Sequence, residues 1–134
     1  MATGVIVDDD VTTQFNEFKL KHTNRYFIYS IINKKIIKIE KTGDCTKTYQ
    51  DFMAELPEED CRYGLIDLEF ETTSGRPTSK MIFIAWNPDL APVRRKMLYA
   101  GSKEAIKAAL NGVGISINAT DTSELDYETA ILPV

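Results

Sequence analysis

Apolar residues recur along this chain in two periods. Val11, Phe15 and Phe18 recur at near-helical spacing behind Asp8, Asp9 and Asp10, which place a cap and negative charge at a helix start. The pattern predicts a first helix that packs one face, with Leu20 counted on that face, and ends in the cations Lys19 and Lys21 beside His22. Residues 25–32, rich in Tyr, Phe and Ile, read as a strand. Asn33 and Lys34 signal a turn, and 36–39 return as a second strand ended by Thr42, Gly43 and Asp44. Residues 48–56 form a short amphipathic helix stopped by Pro57, and 63–70 alternate toward a third strand. An exposed turn is expected over 72–79, with Lys80 at the start of the next strand. Residues 81–86 are almost continuously apolar, which predicts a central strand buried on both faces. After the break at Asn87, Pro88 and Asp89, a long helix runs from Pro92 toward Leu110, with Gly112 as its stop. A short strand at 115–117 and a last helix from about 124 to 132, capped from 120–123, complete the pattern; residues 1–7 read as a disordered tip.

The long helix is not uniform. In its second half Ala105, Ile106, Ala109 and Leu110 share one face, and Lys103 and Lys107 another. Its first half sets Arg94, Arg95 and Lys96 beside Val93, Met97, Leu98 and Tyr99. Two readings are open. One is a solvated face with Met97 and Leu98 in the core; the other is an exposed basic and apolar contact surface.

A chain of 134 residues with net charge −4 is expected to form one domain, spanning 1–134. Its mildly acidic balance gives no argument for nucleic acid, so the basic start of the long helix is a local patch. Cys45 and Cys61 lack a close pairing motif and read as free thiols. His22 is the only histidine and has no metal-type neighbour in sequence, which leaves no nucleophile–His–acid set and no metal motif. There is no Gly-rich phosphate loop, and Glu58, Glu59 and Asp60 sit in a Pro-led loop that reads as solvated or as a helix-end cap. An enzyme is not expected, nor a cofactor. With no basic-then-apolar leader and no run of spanning length, the cytosol is the expected location.

The run 83–100, from Phe83 through Trp86, Asn87, Pro88 and Arg94 to Tyr99 and Ala100, resembles the strand-to-helix core of the actin-depolymerising factor/cofilin family. Met1-Ala2-Thr3-Gly4-Val5, Cys61-Arg62-Tyr63-Gly64, Asn111-Gly112-Val113 and Thr120-Asp121 are similar to other segments of that family, so the resemblance covers essentially the whole chain. It implies an α/β fold: a central mixed sheet of about five strands sandwiched by helices. It also implies an actin-binding protein that takes monomers, ADP-actin preferred, and promotes filament turnover. The implied monomer contacts are Thr3, Gly4 and Val5, then Arg94, Lys96 and Met97, then the segment from Thr120 to Glu124.

Thr3 takes the place of the family's regulatory serine and is a phosphorylation candidate. The implied filament surface uses Arg76 and Lys80 and a charged last helix. In this chain no Lys or Arg follows Lys107. Strong monomer binding with weak filament binding and reduced severing is therefore expected. The alternatives are an ordinary filament-severing cofilin, or a related-fold regulator of actin-like proteins. Arg94, Arg95 and Lys96 are candidates for phosphoinositide headgroups, a contact expected to be weak and salt-sensitive in an acidic protein. No interface is recognisable, so a monomer is expected.

Overall fold

In a computed structural model of the chain, the structure describes residues 4–21, 24–71, 75 and 77–125. The elements run β1 (Ile6–Val7), α1 (Asp9–Lys21), β2 (Asn24–Ile32), β3 (Ile36–Asp44), α2 (Tyr49–Ala54), β4 (Arg62–Glu71), β5 (Pro77–Trp86), α3 (Val93–Ala109) and β6 (Ile115–Ala119), followed by a 3₁₀ turn at Thr122–Leu125. The six strands form one mixed sheet in the order β1-β3-β2-β4-β5-β6. Its four central strands pair antiparallel, and both outer pairs, β1/β3 and β5/β6, are parallel.

The sheet separates two apolar layers. Val11, Phe15 and Phe18 of α1 and Tyr99, Ile106 and Leu110 from α3 and its C-terminal cap pack on Phe27, Tyr29, Tyr63, Leu65 and Phe83. On the opposite face Tyr49 and Phe52 of α2, with Leu56 and Leu125, pack on Tyr26, Ile28, Ile66, Ile82, Ile84 and Trp86. Side chains of β2, β4 and β5 are thus buried on both faces, which is why 81–86 carries no polar alternation.

Several boundaries differ from the sequence reading. The tip is not wholly irregular: Ile6 and Val7 pair with Ile36 and Ile37, giving a sixth strand too short for period-two alternation to reveal. Leu20 is 81% exposed, because at 100° per residue it lies nearly opposite Phe18 on α1. The strand β5 starts at Pro77, not at Lys80, extending the hairpin with β4 to the pair Glu71/Pro77. Pro92 caps α3 from outside its first turn, and Gly112, at φ +102°, turns the chain after it. The last helix is represented among the described residues by the turn at Thr122–Leu125; its expected remainder lies outside them.

Gly43 reads as a terminator yet sits inside β3, paired with Tyr26. A Cβ there would stand 2.3 Å from the Tyr26 ring, so glycine lets the strand continue beneath the ring. Gly64 in β4 plays the same part under Phe52, whose ring a Cβ would meet at 2.5 Å. Phe52 is fully buried and held between Tyr26 and Tyr49, at ring-centroid distances of 5.5 and 6.0 Å. It has little room to yield. Gly64→Ala is expected to destabilise the fold by about 1–2 kcal/mol by overpacking. Thermal unfolding followed by circular dichroism should show Tm falling by about 5 °C or more; an unchanged Tm would contradict the account of the close approach.

Candidate functional site

The start of α3 is built by the segment 87–92. Asn87 N–H donates to Ala119 O (2.9 Å) and Asp89 N–H to Thr120 O (3.3 Å), so the exit of β5 is tied to the exit of β6. Ala91 N–H closes a turn onto Pro88 O at 3.0 Å, and Lys96 N–H donates to Pro92 O at 3.0 Å as the first helical bond. The side-chain amide of Asn87 reaches Lys96 O at 3.4 Å, while its oxygen accepts from the Cys61 thiol at 3.1 Å. One asparagine therefore connects the strand end, the entry to β4 and the second turn of α3.

Burial decides between the two readings of this helix. Tyr99, Ser102 and Ile106 form its buried face, with half-buried Leu98 against the same core. Met97 is 69% exposed, as are Val93 one turn earlier and Leu90 in the preceding segment. Arg94 is exposed and Lys96 half-buried. Among the described residues neither makes an ion pair. Met97 thus lies at the surface, and Leu98 packs against the core. The sequence reading had not assigned Leu90 to this surface; its signal was an apolar residue two positions before Pro92.

Arg95 points elsewhere. Its Nε and Nη2 donate to Oδ1 and Oδ2 of Asp60 at 2.9 and 3.1 Å, a two-point contact. Arg62 Nη1 donates to the same carboxylate at 2.8 Å and its Nε to Glu40 at 2.9 Å. Burial pushes the Asp60 carboxyl up, but the hydrogen bonds from Arg95, Arg62 and the Cys61 N–H outweigh it and hold it below the usual carboxylate range. The Asp60 bond in turn raises the Arg95 guanidinium. Burial also lifts the Cys61 thiol to about 11, which leaves it protonated and inert. Asp60, read from sequence as part of a solvated loop, is thus the post that anchors α3 to the sheet. Below it the Tyr99 hydroxyl accepts from Ile31 N–H at 2.9 Å, and the Tyr63 hydroxyl donates to Tyr99 O.

Two further segments flank this helix. β1 lies in contact with α3. Val5, a candidate contact residue, is buried in the core under α3 and α1, while Gly4 is exposed at φ +80°. Thr3 lies outside the described residues. On the other side, the Asp121 carboxylate accepts from Ser123 N–H (2.9 Å) and Glu124 N–H (3.2 Å), and Thr120 N–H donates to Glu124 Oε1 (3.1 Å). The Ser123 hydroxyl, followed by these amides, holds the Asp121 carboxyl low. The structure therefore brings Gly4, Arg94, Lys96, Met97 and 120–124 to neighbouring elements. Lys80 is half-buried in β5, in register with Leu68 of β4. Arg76 lies outside the described residues.

Among the described residues, no group of three His, Cys, Asp or Glu side chains is placed to hold a metal ion. No helix among them is long and apolar enough to cross a membrane.

Residues 4–131 match the family model described as cofilin/tropomyosin-type actin-binding protein. The chain is 42% identical over 129 residues to actin-depolymerizing factor 3 of Arabidopsis thaliana, covering 95% of this chain and 92% of that one. It is 44% identical over 131 residues to cofilin of Yarrowia lipolytica, covering 96% and 85%. Among solved structures it superposes on actin depolymerization factor 2 of Plasmodium berghei with a TM-score of 0.87 and 34% identity, covering 96% and 94%.

Proposed function

The chain belongs to the family of cofilin/tropomyosin-type actin-binding proteins, and from that membership we propose that it binds actin monomers, preferring ADP-actin, and promotes filament depolymerisation and turnover. The observation that carries this reading is the exposure of Met97 beside Arg94 at the start of a helix that Asn87 holds by the Lys96 carbonyl and Asp60 by the Arg95 side chain. A flexible, polarisable side chain suits an apolar cleft on a partner, and the flanking cations steer and register the encounter with an acidic surface. Because the platform is fixed before contact, little ordering cost falls on the binding step. The cytoplasm and its cytoskeleton follow as the place of action.

Filament binding and severing are proposed to be weak. From Ala108 to Val134 the sequence has no Lys or Arg, against four carboxylates at Asp121, Glu124, Asp126 and Glu128. That leaves Lys80 and Arg76 as the candidate cations for a second actin subunit. Phosphoinositide headgroups remain candidate ligands of Arg94 and Lys96, whereas Arg95 is spoken for by Asp60.

Titrating fluorescently labelled ADP-actin monomers tests the reading. A saturable one-to-one complex is expected, and no complex at micromolar concentrations would refute it. The same titration tests regulation at the tip. A phosphate on Thr3 adds about −1.5 to −2 charges, so Thr3→Glu is expected to weaken binding several-fold; equal affinity would remove Thr3 as a control point.

A further inference from the structure

The large apolar side chains that stand exposed among the described residues sort into two patches, with Leu20 apart from both. Leu90, Val93 and Met97 belong to the start of α3. Ile6, 61% exposed, and Ile32, 39% exposed, belong to the second, where half-buried Ile36 joins them. Ile36 pairs with Ile6 on one side and with Ile32 on the other, so the three form one row across β1, β3 and β2. None of them belongs to either apolar layer. Their chain neighbours Val7, Ile31 and Ile37 turn to the layer under α1 and α3, so alternation puts the row on the opposite face of the sheet. α2 covers that face further along the strands, where Phe52 packs on Tyr26 and Gly64.

The rim of the row is basic. Lys34 and Lys35 are exposed in the hairpin turn between β2 and β3, and Lys38 is exposed two residues on from Ile36. Among the described residues none of the three forms an ion pair. The carboxylates on this face are half-buried Asp8, two residues on from Ile6, and Glu40, which is taken by Arg62. The free charge around the row is therefore mainly positive, on a chain of net charge −4. The direction of the row selects its occupant. Adjacent strands lie about 4.8 Å apart, so the row spans about 10 Å, close to two turns of an α-helix at about 5.4 Å each. A helix laid across the strands meets it with apolar residues at i, i+4 and i+7. A strand added at the sheet edge fits less well. Ile6 N–H donates to Lys35 O and Asp8 N–H to Ile37 O, which leaves β1 the Val7 backbone alone to face outward.

We propose that this face docks an acidic amphipathic helix of a partner protein. The apolar stripe of the helix lies on Ile6, Ile36 and Ile32, and its flanking carboxylates meet Lys34, Lys35 and Lys38. The row and α3 lie on opposite faces of the sheet, so the site goes beyond the actin reading and stands without it.

The probe is a synthetic helical peptide of about 15 residues, with leucine at i, i+4 and i+7 and glutamate on both flanks. It is titrated into the ¹⁵N-labelled full chain and followed by NMR. The control peptide carries glutamine in place of every glutamate. Saturable shifts are expected at the Ile6, Ile32, Ile36 and Lys38 amides, with a dissociation constant of about 100 μM or tighter. The glutamine peptide should bind at least about tenfold more weakly. Ile6→Gln with Ile32→Gln should cost the glutamate peptide about tenfold, with the rest of the spectrum unchanged because both side chains are already exposed. Vesicles of phosphatidylserine and phosphatidylcholine should leave the protein in the supernatant. Lack of saturation up to about 1 mM, shifts scattered over the surface, equal binding of the glutamine peptide, or indifference to the double substitution would each overturn the proposal. Pelleting with vesicles that Ile6→Gln and Ile32→Gln abolish would assign the face to a membrane and overturn it as well.

Discussion

Replacing Arg94 and Lys96 together by alanine is expected to weaken binding to monomeric actin by about a hundredfold while the fold stays intact. Arg94 is exposed and Lys96 half-buried, and neither ion pair of this helix start depends on them, since Asp60 is satisfied by Arg95 and Arg62. Exposed charges of this kind contribute within about 0.5 kcal/mol to stability. At an interface the balance differs. Each truncation removes a charge from a desolvated contact and costs about 1.5–2 kcal/mol, so the pair costs about 3 kcal/mol. A titration of labelled actin monomers alongside a thermal melt separates the two quantities. A variant that melts several degrees lower and binds actin unchanged would mean that these side chains serve the fold and that the contact lies elsewhere. Arg95→Ala should show the opposite pattern, with loss of stability ahead of loss of affinity, because Arg95 is turned to Asp60.

Asp60→Ala is the substitution expected to destabilise the protein most among those that spare the apolar core. It leaves Arg95 without its two-point partner and strips one of two carboxylates from Arg62. Hydrogen bonds to charged groups contribute about 1.5–3 kcal/mol each when shielded. The Asp60 side chain is 31% exposed, so solvent screening reduces the total, and a loss of about 2–3 kcal/mol is expected. The pH dependence has a definite sign. The carboxyl titrates lower in the folded chain than its usual value near about 3.9 in an unfolded one. Its contribution is present above that value and is lost as pH falls through the folded-state value. The unaltered protein should therefore lose stability on acidification below about pH 4 more steeply than Asp60→Ala, whose acid limb is flatter. Parallel acid limbs would show that Asp60 is not held as a buried-side anchor. Loosening the first turns of α3 should also weaken actin binding, by less than removal of Arg94 and Lys96.

The central part of this fold is legible in the sequence because burial on both faces leaves a plain mark: 81–86 has no polar position to hide a strand, and Val11, Phe15 and Phe18 recur at helical spacing. What was not legible depends on neighbours distant in sequence. Gly43 marks a stop by propensity, and only the Tyr26 ring across the ladder explains why the strand runs on. Ile6 and Val7 gain their strand conformation from Ile36 and Ile37, about 30 residues away. In the site, three consecutive cations read alike, yet the rotation of about 100° from one residue to the next leaves Arg94 in solvent and turns Arg95 to a carboxylate 35 residues earlier. That acidic loop gave no signal of its own, since Glu58, Glu59 and Asp60 differ only in which of them faces α3. The contrast between Met97 and Leu98 was likewise a matter of helix phase, which the buried positions Tyr99, Ser102 and Ile106 set.

Co-sedimentation with preformed actin filaments, with the monomer in the supernatant quantified alongside, tests the central claim most directly. The account predicts that the monomer pool rises with added protein while little of the protein pellets, and that Arg94→Ala with Lys96→Ala abolishes the rise. A monomer pool that stays constant, with the protein left in the supernatant, would contradict actin binding itself. Near-stoichiometric pelleting would contradict the weak filament contact and make the cations near β5 sufficient for it.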